Sequence, residues 1–184
     1  MNKKERARIS MKIERINLLL NLIWSFIFLF PLVIFCYNKM DRNWFIISLI
    51  ISMAAIFLPK SFFNAMQVSK SSRFYRKAGI EFFNQFIQNG TLLNRFIKGK
   101  FPGYQRFNSK EEAFKKLFSQ TYMYEKFHFI LFIFFAETVV FAILYGFYGW
   151  IVFFIIGNIF YNIYPILLQQ YIRLRLSRLI PTKK

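Results

Sequence analysis

The sequence predicts an all-α integral membrane bundle of four transmembrane helices, with a cytoplasmic amphipathic helical segment between the second and third. Three observations carry this prediction. Of 184 residues, 56% are hydrophobic and 27 are Phe, a composition far from that of ordinary soluble domains. The apolar residues fall into charge-free runs long enough to cross a hydrocarbon core of about 30 Å. The basic residues, 26 Lys and Arg against 8 Asp and Glu for a net charge of +18, are confined to the segments between and beyond those runs.

The first span is read at 17–37, inside a stretch from Ile16 to Asn38 without a charged side chain. The six basic residues before it resemble the start of a signal peptide, but the apolar part is too long and lacks a small-residue cleavage site, so an uncleaved anchor is expected. The second span, 43–59, is short; Trp44 at one end and Lys60 at the other extend its reach into the interfaces. From Phe127 to Ile172 only Glu137 is charged. That is too long for one crossing, and Gly146 and Gly149 divide it into a hairpin of two spans, 127–146 and 149–171.

Four spans place both termini on one side. Residues 1–16, 60–126 and 173–184 carry all the basic residues except Lys39 and Arg42, the positive-inside pattern of a chain whose termini and central segment are cytoplasmic. Such basic segments are expected to lie on anionic lipid headgroups. The charge therefore needs no nucleic acid, and none is expected as a partner. A single Cys36 and a single His128 exclude disulfide frameworks and clustered Cys or His metal sites, so neither metal nor cofactor is expected. The whole chain, 1–184, reads as one membrane domain.

Within the central segment, 60–126, Tyr75, Ala78, Phe82 and Phe86 follow the helical period over 71–88, with Arg73, Arg76 and Lys77 at the start, which predicts an interfacial helix. Breaks are expected at Asn89-Gly90 and over Gly99 to Gly103. Ser109 and Glu112 form a capping-box signature, and Glu111 with Lys115 and Glu112 with Lys116 are spaced for ion pairs. No helix breaker follows before Gly146, so one helix is expected to run from the cytoplasm into the third span.

Four polar groupings call for an explanation. Asn158, Asn162, Pro165, Gln169 and Arg173 fall on one stripe of the last span. Amides in hydrocarbon need partners, so the stripe faces the bundle interior, either bonding helices together or lining a polar cleft for a sugar or carbonyl group. Glu125 and His128 are i,i+3 neighbours; the pair is either a boundary histidine beside a carboxylate or a general base with its orienting acid. Glu137, nine positions beyond His128 and on a different face, is a candidate intramembrane acid or a protonated partner for a neighbouring helix. Cys36, deep in the first span, is read as packing.

The string Asn162, Pro165, Gln169-Gln170-Tyr171-Ile172-Arg173-Leu174-Arg175 resembles the C-terminal signature of the glycosyl-4,4'-diaponeurosporenoate acyltransferase family, small bacterial membrane proteins. Glu125-x-x-His128 and the stretch Phe74-Tyr75-Arg76-Lys77-Ala78-Gly79-Ile80 are similar too. Gln170 stands where the family usually has Arg, and Ile172 where it usually has Asn, departures that bear on the substrate if these side chains touch it. The resemblance implies a bacterial cell (inner) membrane enzyme that esterifies a sugar hydroxyl of a glycosylated carotenoid or similar glycolipid with a fatty acyl group, taking a lipid-like acceptor and a fatty acyl donor. On this reading His128 is the base and Glu125 its orienting partner. Asn158, Asn162, Gln169 and Tyr171 bind the acceptor, and Arg173 and Arg175 hold an anionic donor or the developing oxyanion. The alternative is a non-catalytic membrane scaffold or lipid-binding subunit of a larger assembly, consistent with the absence of a Gly-x-Ser-x-Gly nucleophile motif.

Overall fold

The computed structural model describes residues 2–87, 90–101 and 110–178. Among these residues every regular element is helical. Three helical stretches, Lys4–Lys39, Phe114–Leu144 and Tyr148–Ser177, are long and apolar enough to cross a membrane.

The second expected span differs. After α1 (Lys3–Lys39) the chain reverses through Met40 and Asp41, whose carboxylate accepts the Asn43 and Trp44 amides at 2.9 and 3.1 Å and so caps α2 (Arg42–Ala54). α2 has 13 residues and passes into a three-residue 3-10 turn, Ala55–Phe57. Pro59 forces Leu58 out of helical geometry and ends the run. The apolar helix is thus about 24 Å long at 1.5 Å per residue, short of the core thickness.

α7 (Lys110–Leu144) is the single long helix expected from the cytoplasm into the third span. The proposed cap at Ser109 and the side chains of Glu111 and Glu112 lie outside the described residues. α7 ends in the left-handed Gly146 (φ 73°). There the Phe147 amide reaches back to Ala142 O at 2.8 Å and the Gly146 amide to Ile143 O at 3.3 Å, the paired bonds of a Schellman cap. The returning rod comprises α8 (Tyr148–Asn158), a π-helical turn (Ile159–Ile163) and α9 (Tyr164–Ser177), without interruption.

Side-chain pairings set the bundle's directions. Glu125 meets Arg173 near one end of the α7 hairpin, and Phe135 packs on Phe154 further along. α2 also runs antiparallel to α7: Trp44 packs on Phe141, Phe45 on Phe134, and Lys126 Nζ donates to Ile56 O at 2.6 Å. α1 lies antiparallel to the returning rod, with Ser25 at Tyr161 and Phe35 edge-on to Phe154. Lipid chains are as apolar as these side chains, so association rests on close fit rather than on exclusion of water. Phe35, out of contact with solvent, is ringed by Phe141, Phe147, Trp150 and Phe154. Gly157 lets Phe28 and Phe135 close over the rod; a Cβ there would stand 3.2 and 3.1 Å from their rings.

The amphipathic helix expected over 71–88 is two short helices, α4 (Ser72–Lys77) and α5 (Ile80–Phe83), separated by Gly79 in the left-handed region (φ 77°). The bend turns both Tyr75 and Ile80 inward, to full burial against Leu168 and Tyr171 of α9, while Phe74, Phe82 and Phe86 stay exposed. α3 (Lys60–Ala65) precedes them and α6 (Thr91–Lys100) follows. α6 begins after Gly90 and runs through Gly99, so the second expected break starts later, at Phe101.

Candidate functional site

Two polar centres form where α7 faces α9. They lie on different sides of the contact, although the residues that build them alternate along the same helices.

The first is sealed. Arg173 Nη1 donates to Glu125 Oε2, and both side chains are nearly free of solvent contact, at 4% and 1% exposure. Arg173 Nη2 donates to Phe63 O at 3.2 Å, and the guanidinium lies 4.4 Å from the centre of the Tyr122 ring. Gln170 Nε2 donates to the other carboxylate oxygen, Glu125 Oε1, at 2.9 Å. Its Oε1 accepts the Val68 amide and faces the Tyr75 hydroxyl, each at 3.1 Å. Tyr75 Oη also accepts the Ser69 amide at 3.2 Å and lies 3.0 Å from Ser69 O. Burial pushes this phenol above its usual value of 10.0, against the pull of the Ser69 main chain and Arg173. The cluster thus fastens the segment 63–75 to α7 and α9.

The second centre is open. A cavity of about 430 Å³ lies between α1, the 83–87 segment, α7 and the returning rod. Asn21, Trp24 and Ser25 come from α1, Phe83 and Ile87 from the central segment, and Met123, Tyr124, Phe127 and His128 from α7. Phe160, Tyr161, Pro165, Leu168 and Gln169 complete the wall. It is mostly aromatic and aliphatic with a few convergent polar groups, the usual make-up of a small-molecule site. The imidazole of His128 packs edge-on against Tyr161, their centroids 5.8 Å apart. The side chain of Asn162 and the main chain of Tyr161 are its polar neighbours. Asn162 Nδ2 donates to Asn158 Oδ1 at 2.8 Å, and Asn158 Nδ2 donates to Phe132 O at 3.2 Å. Yet His128 Nδ1 and Asn162 Oδ1, both buried, make no hydrogen bond. Buried polar atoms rarely go unpaired, and the π-helical turn that carries Tyr161 and Asn162 is a distortion often found at functional sites.

The residues singled out from sequence therefore separate. His128, Asn158, Asn162 and Gln169 gather at or behind the cavity. Glu125 does not orient His128: its oxygens are taken by Arg173 and Gln170 on the other side of the helix contact. Arg173 is held in that pair through Nη1, while its Nε makes no hydrogen bond. Tyr171 donates to Glu81, while Arg175 is exposed and stacks 5.6 Å from the centre of the Tyr171 ring. Glu137 faces Ser48 of α2, away from the cavity, and its Oε2 makes no hydrogen bond. Gln170, noted as a departure bearing on substrate, is fully buried in the sealed cluster. Sequence reasoning missed Ser25 and Tyr161, whose hydroxyls lie 2.8 Å apart in the cavity wall; isolated hydroxyls in apolar runs form no pattern that singles them out.

Residues 59–182, more than half of the chain, match a family model described as glycosyl-4,4'-diaponeurosporenoate acyltransferase. No curated protein and no solved structure matches the chain.

Proposed function

Because the chain belongs to the glycosyl-4,4'-diaponeurosporenoate acyltransferase family, we propose that it esterifies a sugar hydroxyl of a glycosylated carotenoid, or a similar glycolipid, with a fatty acyl group in the cavity beside His128. The observation that carries this reading is the imidazole itself, set in the cavity wall beside the Asn162 side chain.

In this scheme the imidazole takes the proton as the sugar oxygen attacks the acyl carbonyl carbon, and returns it to the leaving group when the tetrahedral intermediate collapses. Asn162, itself held by Asn158, stands in the orienting role that the sequence suggested for Glu125. Gln169 contacts the polar head of the acceptor, and the aromatic walls take the polyene or acyl chain. Glu125 and Arg173 hold the segment that closes the bundle's basic end. Arg175, exposed beside Tyr171, meets an anionic donor or lipid headgroup.

Four crossings fit this arrangement. α2 accompanies α7 from Phe141 to Lys126, so a bilayer that thins locally, with Trp44 and Lys60 at the two surfaces, lets it cross. Both termini and the central segment then lie on the cytoplasmic side of a bacterial cell membrane, where Phe74, Phe82 and Phe86, beside Arg73, Arg76 and Lys77, rest on anionic headgroups.

The test is acyl transfer in membranes of cells making the protein, with glycosyl-4,4'-diaponeurosporenoate as acceptor and labelled fatty acid fed to supply the activated donor. His128→Ala should lower turnover by about 10²- to 10⁴-fold while the protein accumulates normally. Unchanged turnover would remove the imidazole from the reaction. No acyl transfer by the parent would favour the scaffold reading instead.

A further inference from the structure

The hydroxyls of Ser25 and Tyr161 face each other at 2.8 Å in the wall of the His128 cavity. The hydroxyls of Ser52, Thr121 and Thr138 turn back on their own helices, donating to Leu49 O, Phe118 O and Phe134 O. Ser25 instead reaches across from α1 to the returning rod. Two hydroxyls carry two protons, and their mutual bond uses one, whichever group donates. The second O–H belongs to a group in the cavity wall. Phe28, one turn beyond Ser25, packs on the Tyr161 ring with centroids 5.6 Å apart, and His128 packs on the same ring edge-on. The phenol is therefore held by contacts on several sides, and it lies on the same wall as the candidate base.

We propose that the Ser25–Tyr161 hydroxyl pair is the oxyanion-stabilising donor of the transfer, so that α1 supplies part of the catalytic site. The inference rests on the reading of His128 as base. The family match begins at residue 59 and assigns nothing to α1. When the sugar oxygen bonds to the carbonyl carbon of an acyl ester or thioester, the proton passes to His128 and the carbonyl π pair moves onto its oxygen. The free O–H of the pair donates to that oxygen. When the C–O π bond re-forms, the alkoxide or thiolate leaves and takes the proton from His128. A donor aimed at developing charge acts mainly in the transition state.

The experiment compares Tyr161→Phe, Ser25→Ala, Ser25→Thr and His128→Ala in the membrane assay above. Tyr161→Phe should reduce kcat about a hundredfold and leave the acceptor KM within about threefold. Ser25→Ala should reduce kcat less, Ser25→Thr should restore it, and the double variant should fall no further than Tyr161→Phe alone. If Tyr161→Phe and Ser25→Ala keep parental kcat while His128→Ala is inactive, the oxyanion assignment is overturned and the base survives. A change confined to KM also overturns it, by making the hydroxyls binding groups only. If His128→Ala is fully active, the base reading fails, and the assignment that rests on it falls too. Should Tyr161→Phe fail to accumulate, the Ser25→Ala and Ser25→Thr comparison decides.

Discussion

Arg173 and Glu125 form an ion pair shut away from solvent on both partners, with the carboxylate's second oxygen bonded to Gln170 and the guanidinium's second nitrogen to the Phe63 carbonyl. Each charge is thereby both neutralised and hydrogen-bonded, the condition under which a buried pair is tolerable. Removing one partner should destabilise the protein by about 3–5 kcal/mol. Replacing both together, as in Glu125→Met with Arg173→Met, should cost much less than the sum of the single changes. Thermal unfolding of the four forms in detergent or nanodiscs measures the coupling; additive losses would show that the pair does not act as a unit.

Tyr75 gives the same cluster a pH signature. Its raised pKa means that the folded protein keeps the phenolic proton at pH values where the unfolded chain has lost it. The stability linked to this group is complete below the unfolded value of about 10 and declines as pH rises through the folded one. Unfolding followed from pH 8 upward should show a steeper alkaline loss in the parent than in Tyr75→Phe. Identical slopes would mean that the phenol titrates alike in both states.

At Gly157 the rings of Phe28 from α1 and Phe135 from α7 close over the returning rod. Gly157→Leu would drive several carbon atoms into two rings and should destabilise by about 1–3 kcal/mol. Because Phe28 and Tyr161 are in contact, it should also disturb the cavity. The midpoint of thermal unfolding and the acyl-transfer rate are expected to fall together.

Gly79 isolates a backbone effect. A Cβ there would meet nothing within 4 Å, but φ is +77°. Gly79→Ala should therefore destabilise by about 1–2 kcal/mol through conformation alone, and Gly79→Asn by less, since Asn tolerates the left-handed region. Hydrogen exchange at the Ile80 and Phe83 amides would report the local loosening; equal protection in both variants would rule out the strain.

The hairpin was readable because its signals are one-dimensional: an uninterrupted apolar run, no breaker between 109 and 146, and glycines where a reversal was needed. α2 was harder, because the same run supported a span while Pro59 fixed its end short of one. The central segment misled for a related reason. Tyr75, Phe82 and Phe86 share a helical period, but a single left-handed residue at Gly79 resets the phase, so that Ile80 turns inward and Phe82 outward. Glu125 and His128 illustrate what spacing omits. Residues three apart on a helix differ by about 60° in direction, near enough to look like partners and far enough to serve different neighbours. Arg173 and Gln170, some 45 positions away in the chain, decided which neighbour Glu125 took. The hydroxyls of Ser25 and Tyr161 became meaningful only when α1 was laid against the returning rod.

The wide turn at 159–163 acts on the last rod as a vernier. Upstream of it the rod engages α7 at Phe132; downstream it engages Glu125; the one-residue slack between them lets both registers be met by a continuous helix. Were the same residues wound as ordinary α-helix, without the wide turn, everything beyond would be rotated by about 100°. The imidazole and the ion pair could then no longer both find their counterparts on one stiff element, and the molecule would have to choose between a closed end and a working chamber.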